Sequence, residues 1–92
     1  MVEIYTTATF DRLYRKLPKK IQKKAVLKTK VFQNDPFTPA LRCEKLTPRK
    51  YNIWSFRVDL DYRIVFVFLS PEKAEFRFVG HHNKIYDYEI FR

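Results

Sequence analysis

The sequence predicts a single α+β domain: a strand, a helical hairpin, a three-stranded antiparallel meander, and a short C-terminal tail or helix. Three observations predict it. Apolar residues recur at helical spacing up to about residue 33, and at a spacing of two from residue 53 onward. A proline-containing stretch, 34–52, separates the two patterns. The chain has 92 residues, 46% hydrophobic and 17% aromatic, with a single Gly. That is enough for one buried core and too apolar for a disordered chain.

Taken in order, Met1–Thr6 reads as a short strand, with Val2 and Ile4 on one side and Glu3 and Tyr5 on the other. A helix starts near Thr7, with Thr7 or Thr9 as its cap. Phe10, Leu13, Tyr14 and Leu17 follow at i, i+3, i+4 and i+7. Pro18 ends that helix and suits the first turn of the next. The second helix runs to about Gln33, with Ile21, Ala25, Leu27, Val31 and Phe32 as its apolar contacts, and Asn34-Asp35-Pro36 stops it. Residues 34–52, with Pro36, Pro39 and Pro48, read as an ordered loop. Trp54, Phe56 and Val58 then alternate with Ser55, Arg57 and Asp59. After a turn near Leu60-Asp61, Tyr62, Ile64, Phe66 and Phe68 alternate with Arg63, Val65 and Val67. Beyond Ser70-Pro71-Glu72-Lys73, Ala74, Phe76 and Phe78 alternate with Glu75, Arg77 and Val79, ending at Gly80. The middle strand is apolar on both faces, so both need cover: the helices on one, the long loop or the tail on the other. Trp54 is the expected anchor between helix and sheet. His81–Arg92 reads equally as a short helix or an irregular tail.

The net charge of +9 is segregated. Residues 1–53 hold 13 basic and 4 acidic side chains, and residues 54–92 hold 6 of each. Nine basic residues lie between Arg12 and Lys30 with no acidic one, among them Lys19, Lys20, Lys23 and Lys24. Solvated helix faces normally mix signs, because like charges at i,i+4 repel. A polyanionic partner offsets that repulsion through counterion release; a merely soluble surface or an acidic protein partner is the alternative. No stretch is apolar for the ~20 residues of a membrane span, and no apolar signal core opens the chain. The lone Cys43 excludes an internal disulfide and a cysteine-built metal site, so a reducing cytoplasm is the expected compartment.

A second group of polar residues lies in or beside the sheet. Arg57 and Arg63 alternate with core aromatics on neighbouring strands, His81 and His82 follow the only glycine, Tyr86 comes four residues after His82, and Glu44 sits in the loop. Arginine, imidazole, phenol and carboxylate together suit metal-free RNA cleavage. A base takes the 2′-OH proton, cations stabilise the phosphorane, and an acid protonates the leaving 5′-oxygen. Strand arginines also serve commonly as surface ion pairs, here with Asp59 or Asp61. Metal binding by the adjacent histidines is disfavoured, because consecutive side chains diverge on an extended chain and the spacing offers no third ligand.

The strings Trp54-Ser55-Phe56-Arg57-Val58, Tyr62-Arg63-Ile64-Val65-Phe66 and Val79-Gly80-His81-His82 with Ile85-Tyr86 resemble the RelE/ParE superfamily of type II toxin–antitoxin toxins. Within it the nearer likeness is to the RelE and YoeB mRNA interferases, and it covers nearly the whole chain as one RelE-like domain. The resemblance implies a ribosome-dependent endoribonuclease that cuts mRNA by metal-independent 2′-hydroxyl attack, inhibits translation and needs no cofactor. It implies Glu44 as general base, Arg63 as transition-state arginine, His82 as acid or charge stabiliser, and Tyr86 as the aromatic that orients RNA, with Tyr88 competing. Arg57, Lys45, His81, Lys19, Lys20, Lys23 and Lys24 are the implied RNA contacts, and either histidine of the doublet fits the acting position. Ser55 stands where RelE itself carries a lysine. The implied partners are a cognate acidic antitoxin, the ribosome and mRNA, with operator DNA reached only through the antitoxin complex and no membrane. The alternatives are a ParE-like, non-nuclease gyrase inhibitor and an inactive antitoxin-binding homologue, because the same fold serves different functions.

Overall fold

A computed structural model of the chain describes residues 1–85; Tyr86 and Tyr88 lie outside them. The elements are β1 (Glu3–Thr6), α1 (Ala8–Arg15), α2 (Lys19–Asn34), β2 (Glu44–Lys45), β3 (Trp54–Arg57), β4 (Tyr62–Ser70), β5 (Lys73–His81) and α3 (His82–Ile85). Tight 3-10 turns occupy Pro39–Leu41 and Arg49–Tyr51. The expected meander is β3-β4-β5, and two further strands widen it to five in the order β1-β5-β4-β3-β2. β1 runs parallel to β5, and the other neighbours are antiparallel. The loop expected over 34–52 therefore contains a sheet edge. Its two residues are too few to carry a period.

Thr7, rather than Thr9, caps α1: its Oγ1 accepts the Phe10 amide at 3.1 Å. Gln22 holds the hairpin shut. Its Nε2 donates to the carbonyls of Tyr14, Arg15 and Leu17 at 3.2, 3.4 and 3.1 Å, in the last turn of α1 and the link that follows it. Gln22→Ala is expected to lower stability by about 1 kcal/mol, since the link between the helices loses the Gln22 amide and water replaces it only in part. A thermal melt that leaves the variant unchanged would discard this role.

The inward stripe of α2 is Ile21, Ala25 and Phe32. Leu27 and Val31, expected as contacts, are instead 62% and 40% exposed. At 100° per residue both lie more than 100° around the helix from Ala25. Trp54 is likewise not the central anchor. It is half-buried at the rim, edge-on to Phe37 and Phe68. The centre is Phe32, fully buried, with ring centroids 5.0, 4.9 and 5.5 Å from those of Phe56, Phe66 and Phe76.

Val65 pairs with Phe78 but Phe66 pairs with Phe76, so Arg77 has no opposite number on β4. This bulge reverses the facing of β5 beyond it. Val79 joins the core under the helices, whereas Phe78 packs partly on the opposite face. There Leu46 and Ile53 from the loop and Ile85 from α3 cover Val65. Loop and tail together thus supply the second cover. His81, expected beyond the strand, is its last residue.

Candidate functional site

Antiparallel partners share a face of the sheet, and the register places Glu44 beside Ser55, Ser55 beside Val65, and Arg57 beside Arg63. Glu44, Arg57 and Arg63 therefore share the face away from the two long helices. Arg57 and Arg63 are directly opposite one another, an arrangement of like charges that destabilises a sheet unless an anion lies between them. Opposite Arg63 on β5 stands Gly80, whose missing Cβ leaves that side of the arginine open. Arg63 Nη1 donates towards the carbonyls of Asp59, Leu60 and Tyr62 at 3.1, 3.2 and 3.3 Å, which ties the guanidinium to the β3–β4 turn.

The turn is shaped by Asp59. Its Oδ1 accepts the amides of Asp61 and Tyr62, both at 2.9 Å, and Lys24 Nζ lies 3.4 Å from its Oδ2. Desolvation works to raise the Asp59 pKa, but the Asp61 and Tyr62 amides and the Lys24 ammonium outweigh it and hold it below the ordinary aspartate value. A depressed carboxylate pKa stabilises the fold above the unfolded-state value, about 4, and that contribution fades as pH falls through the folded-state value. Asp59→Ala is accordingly expected to cost about 1–2 kcal/mol at pH 7. In urea titrations its deficit against the unmodified chain should narrow below about pH 4; a constant deficit would remove the carboxylate charge from the account.

His82 is tied to the same turn. Its amide donates to the Asp61 carbonyl at 2.7 Å, and its Nδ1 lies 3.2 Å from that oxygen. In the tautomer that donates from Nδ1, Nε2 remains for chemistry. The His81 ring stacks on that of His82 at 4.8 Å and meets Tyr62 edge-on at 5.4 Å, and its Nδ1 accepts the Asn83 amide. Arg63 and His82 are thus held by one turn, with Arg57 alongside. Glu44 is exposed, and its side chain has no hydrogen bond or ion pair among the described residues. Two strands across and two residues along, its Cα lies about 12 Å from that of Arg63 by ideal sheet spacing.

Other expected residues are placed differently. Lys45 pairs with Trp54 on the helix-covered face, its Nζ 5.9 Å from the Trp54 ring centre, and so stands away from the arginines. Lys19, Lys20 and Lys23 are exposed along α2, whereas Lys24 turns to Asp59. Lys24 also lines a cleft with Lys28, Arg42 and Arg57. Lys28 and Arg42 were not singled out from the sequence. The i,i+4 spacing of Lys24 and Lys28 is the signal that marks a shared face. Arg42 has no such signal: it reaches the cleft because the turn at Pro39–Leu41 ends on it in the left-handed region, φ 48°. Burial, and then the charge of Glu44, push the Cys43 thiol up to about 12, which leaves it unreactive despite its basic neighbour.

No family model and no curated protein matches this sequence. Solved structures do. YafQ from E. coli strain BL21(DE3) superposes with a TM-score of 0.74 at 13% identity, covering 94% of this chain and 99% of that one. The RelE toxin in the RelB–RelE antitoxin–toxin complex from Methanococcus jannaschii gives 0.72 at 26% identity, covering 92% and 98%. YoeB in the YoeB–YefM complex from Staphylococcus aureus gives 0.70 at 17%, covering 89% and 98%. The fold is that of the RelE/ParE toxins. In this RelE-like framework the meander carries the two arginines, and the strand-to-helix junction carries the histidines. No helix among the described residues is long and apolar enough to cross a membrane.

Proposed function

We propose that this chain is the toxin of a toxin–antitoxin pair and a ribosome-dependent endoribonuclease that cuts mRNA by metal-independent 2′-hydroxyl attack. The observation that carries this reading is the Arg57–Arg63 cross-strand pair beside His82, two opposed cations with an imidazole held by the same turn. A scissile phosphate between the guanidinium groups relieves their repulsion, and relieves it most when charge grows in the phosphorane. Glu44 takes the 2′-OH proton, the 2′-oxygen bonds to phosphorus, and the P–O5′ bond breaks. His82, in its protonated form, gives a proton to the departing O5′. The products are a 2′,3′-cyclic phosphate and a 5′-hydroxyl end. Tyr86 is assigned the orienting aromatic, with Tyr88 as its competitor. The α2 lysines and the Lys28–Arg42 cleft contact ribosomal RNA, and an acidic antitoxin neutralises the same basic surface. Toxin–antitoxin complexes among the structural neighbours support that partner.

End-mapping of mRNA during in vitro translation tests the reading. Cuts within codons, with 5′-hydroxyl ends and only on translated messages, are expected. Intact messages at concentrations that arrest growth overturn it. Intact messages together with blocked DNA supercoiling transfer the chain to the ParE-like gyrase inhibitors.

A further inference from the structure

We propose that Asp61, His81 and His82 form a binding site for a borderline divalent cation such as Zn2+, and that filling it withdraws His82 from RNA; the second half rests on the proposed nuclease function. Each residue offers one donor atom, and the three donors lie within 4.8 Å of one another. Two features of the fold bring them together. β5 ends at His81 and α3 begins at His82, so the consecutive side chains do not diverge as on an extended strand, and their rings stack with 23° between planes. The register then sets Tyr62 opposite His81, which brings the β3–β4 turn, with Asp61, to the strand end.

The donors suit the ion. Zn2+ binds imidazole nitrogen and carboxylate oxygen at about 2.0–2.2 Å, so tetrahedral ligand atoms stand about 3.3 Å apart. The Asp61 side chain is exposed, and its rotation supplies the remaining closure. His82 already has the orientation of a metal-bound histidine. Its Nδ1 faces a backbone carbonyl, and in the tautomer that donates to it Nε2 carries the lone pair for the metal. His81 gives up one exposed bond, from the Asn83 amide to its Nδ1. Two imidazoles and one carboxylate favour Zn2+ and its transition-metal neighbours over Mg2+. Three protein ligands leave a fourth position to water. A cation on His82 Nε2 occupies the lone pair that carries the proton bound for O5′. Filling the site therefore removes the general acid without disturbing Arg57 or Arg63.

Titration of the untagged full chain with Co2+, followed by visible absorption, tests the site without reference to activity. Saturable bands that Zn2+ abolishes and Mg2+ does not are expected, with binding at least tenfold weaker in Asp61→Ala and His81→Ala. Absence of bands, or unchanged binding in Asp61→Ala, overturns the site. In the mRNA assay, cleavage should fall at the Zn2+ concentrations that fill the site. Asp61→Ala should cleave at the normal rate and keep cleaving in Zn2+. Metal binding with undiminished cleavage overturns the switch. Metal binding by a chain that never cleaves RNA upholds the site and overturns the nuclease reading instead.

Discussion

Arg63→Ala is expected to slow cleavage of translated mRNA about 100- to 1,000-fold, the usual cost of deleting one donor to a developing oxyanion. The loss should fall on kcat as well as kcat/KM, because the contact strengthens as the phosphorane forms. Arg63→Lys should recover only part of it. An ammonium supplies the charge but not the planar fork that spans two phosphate oxygens. The fold should survive either change. Asp59 organises the β3–β4 turn through the Asp61 and Tyr62 amides, so the turn does not depend on the guanidinium. A melt within a few degrees of normal, alongside a collapse in rate, is the expected pair of results. An Arg63→Ala chain that cuts RNA at full rate removes this arginine from the chemistry. If it still arrests growth while leaving RNA intact, the target lies elsewhere.

Phe32→Ala is expected to cost about 3–5 kcal/mol, among the largest stability effects of a single truncation among the described residues. The side chain is fully buried, and its ring contacts reach β3, β4 and β5 from α2. With total stabilities of small domains at about 5–15 kcal/mol, the variant should unfold at a fraction of the usual urea concentration. Phe32→Leu should lose less than half as much. Trp54→Phe, at the half-buried rim, should cost under about 1.5 kcal/mol. The reverse order would restore Trp54 as the anchor.

That contrast shows how far the sequence could be read. The α+β class, the helical hairpin and the meander follow from spacings of roughly 3.6 and 2, and each is present in the fold. Which residue lies at the centre does not follow. Phe32 and Trp54 are equally plausible as text, and only the angle at which α2 crosses the sheet decides between them. The strand pattern misleads at one position: Ala74, Phe76 and Phe78 alternate without a visible break, yet the bulge at Arg77 sends Phe78 to the other face. β2 is too short for any periodicity to disclose. Within the site, Arg57 and Arg63 are legible because both alternate with core aromatics on neighbouring strands, whereas Asp61 reaches the histidines through tertiary register alone. Lys45 is the opposite case, a residue adjacent to Glu44 that the pleat turns to the wrong side.

The parallel pairing of β1 with β5 also bears on when the molecule acquires its shape. Glu3 is matched to Lys73 and Thr6 to Phe76. During synthesis the opening strand therefore waits, with the basic hairpin attached to it, until the closing strand has emerged from the exit tunnel. Contacts of such long sequence separation form late. The half-made chain has neither β5, which lies opposite Arg63, nor the His81–His82 junction. A ribosome making this protein thus holds an incomplete site until β5 and the His81–His82 junction have followed the other strands out.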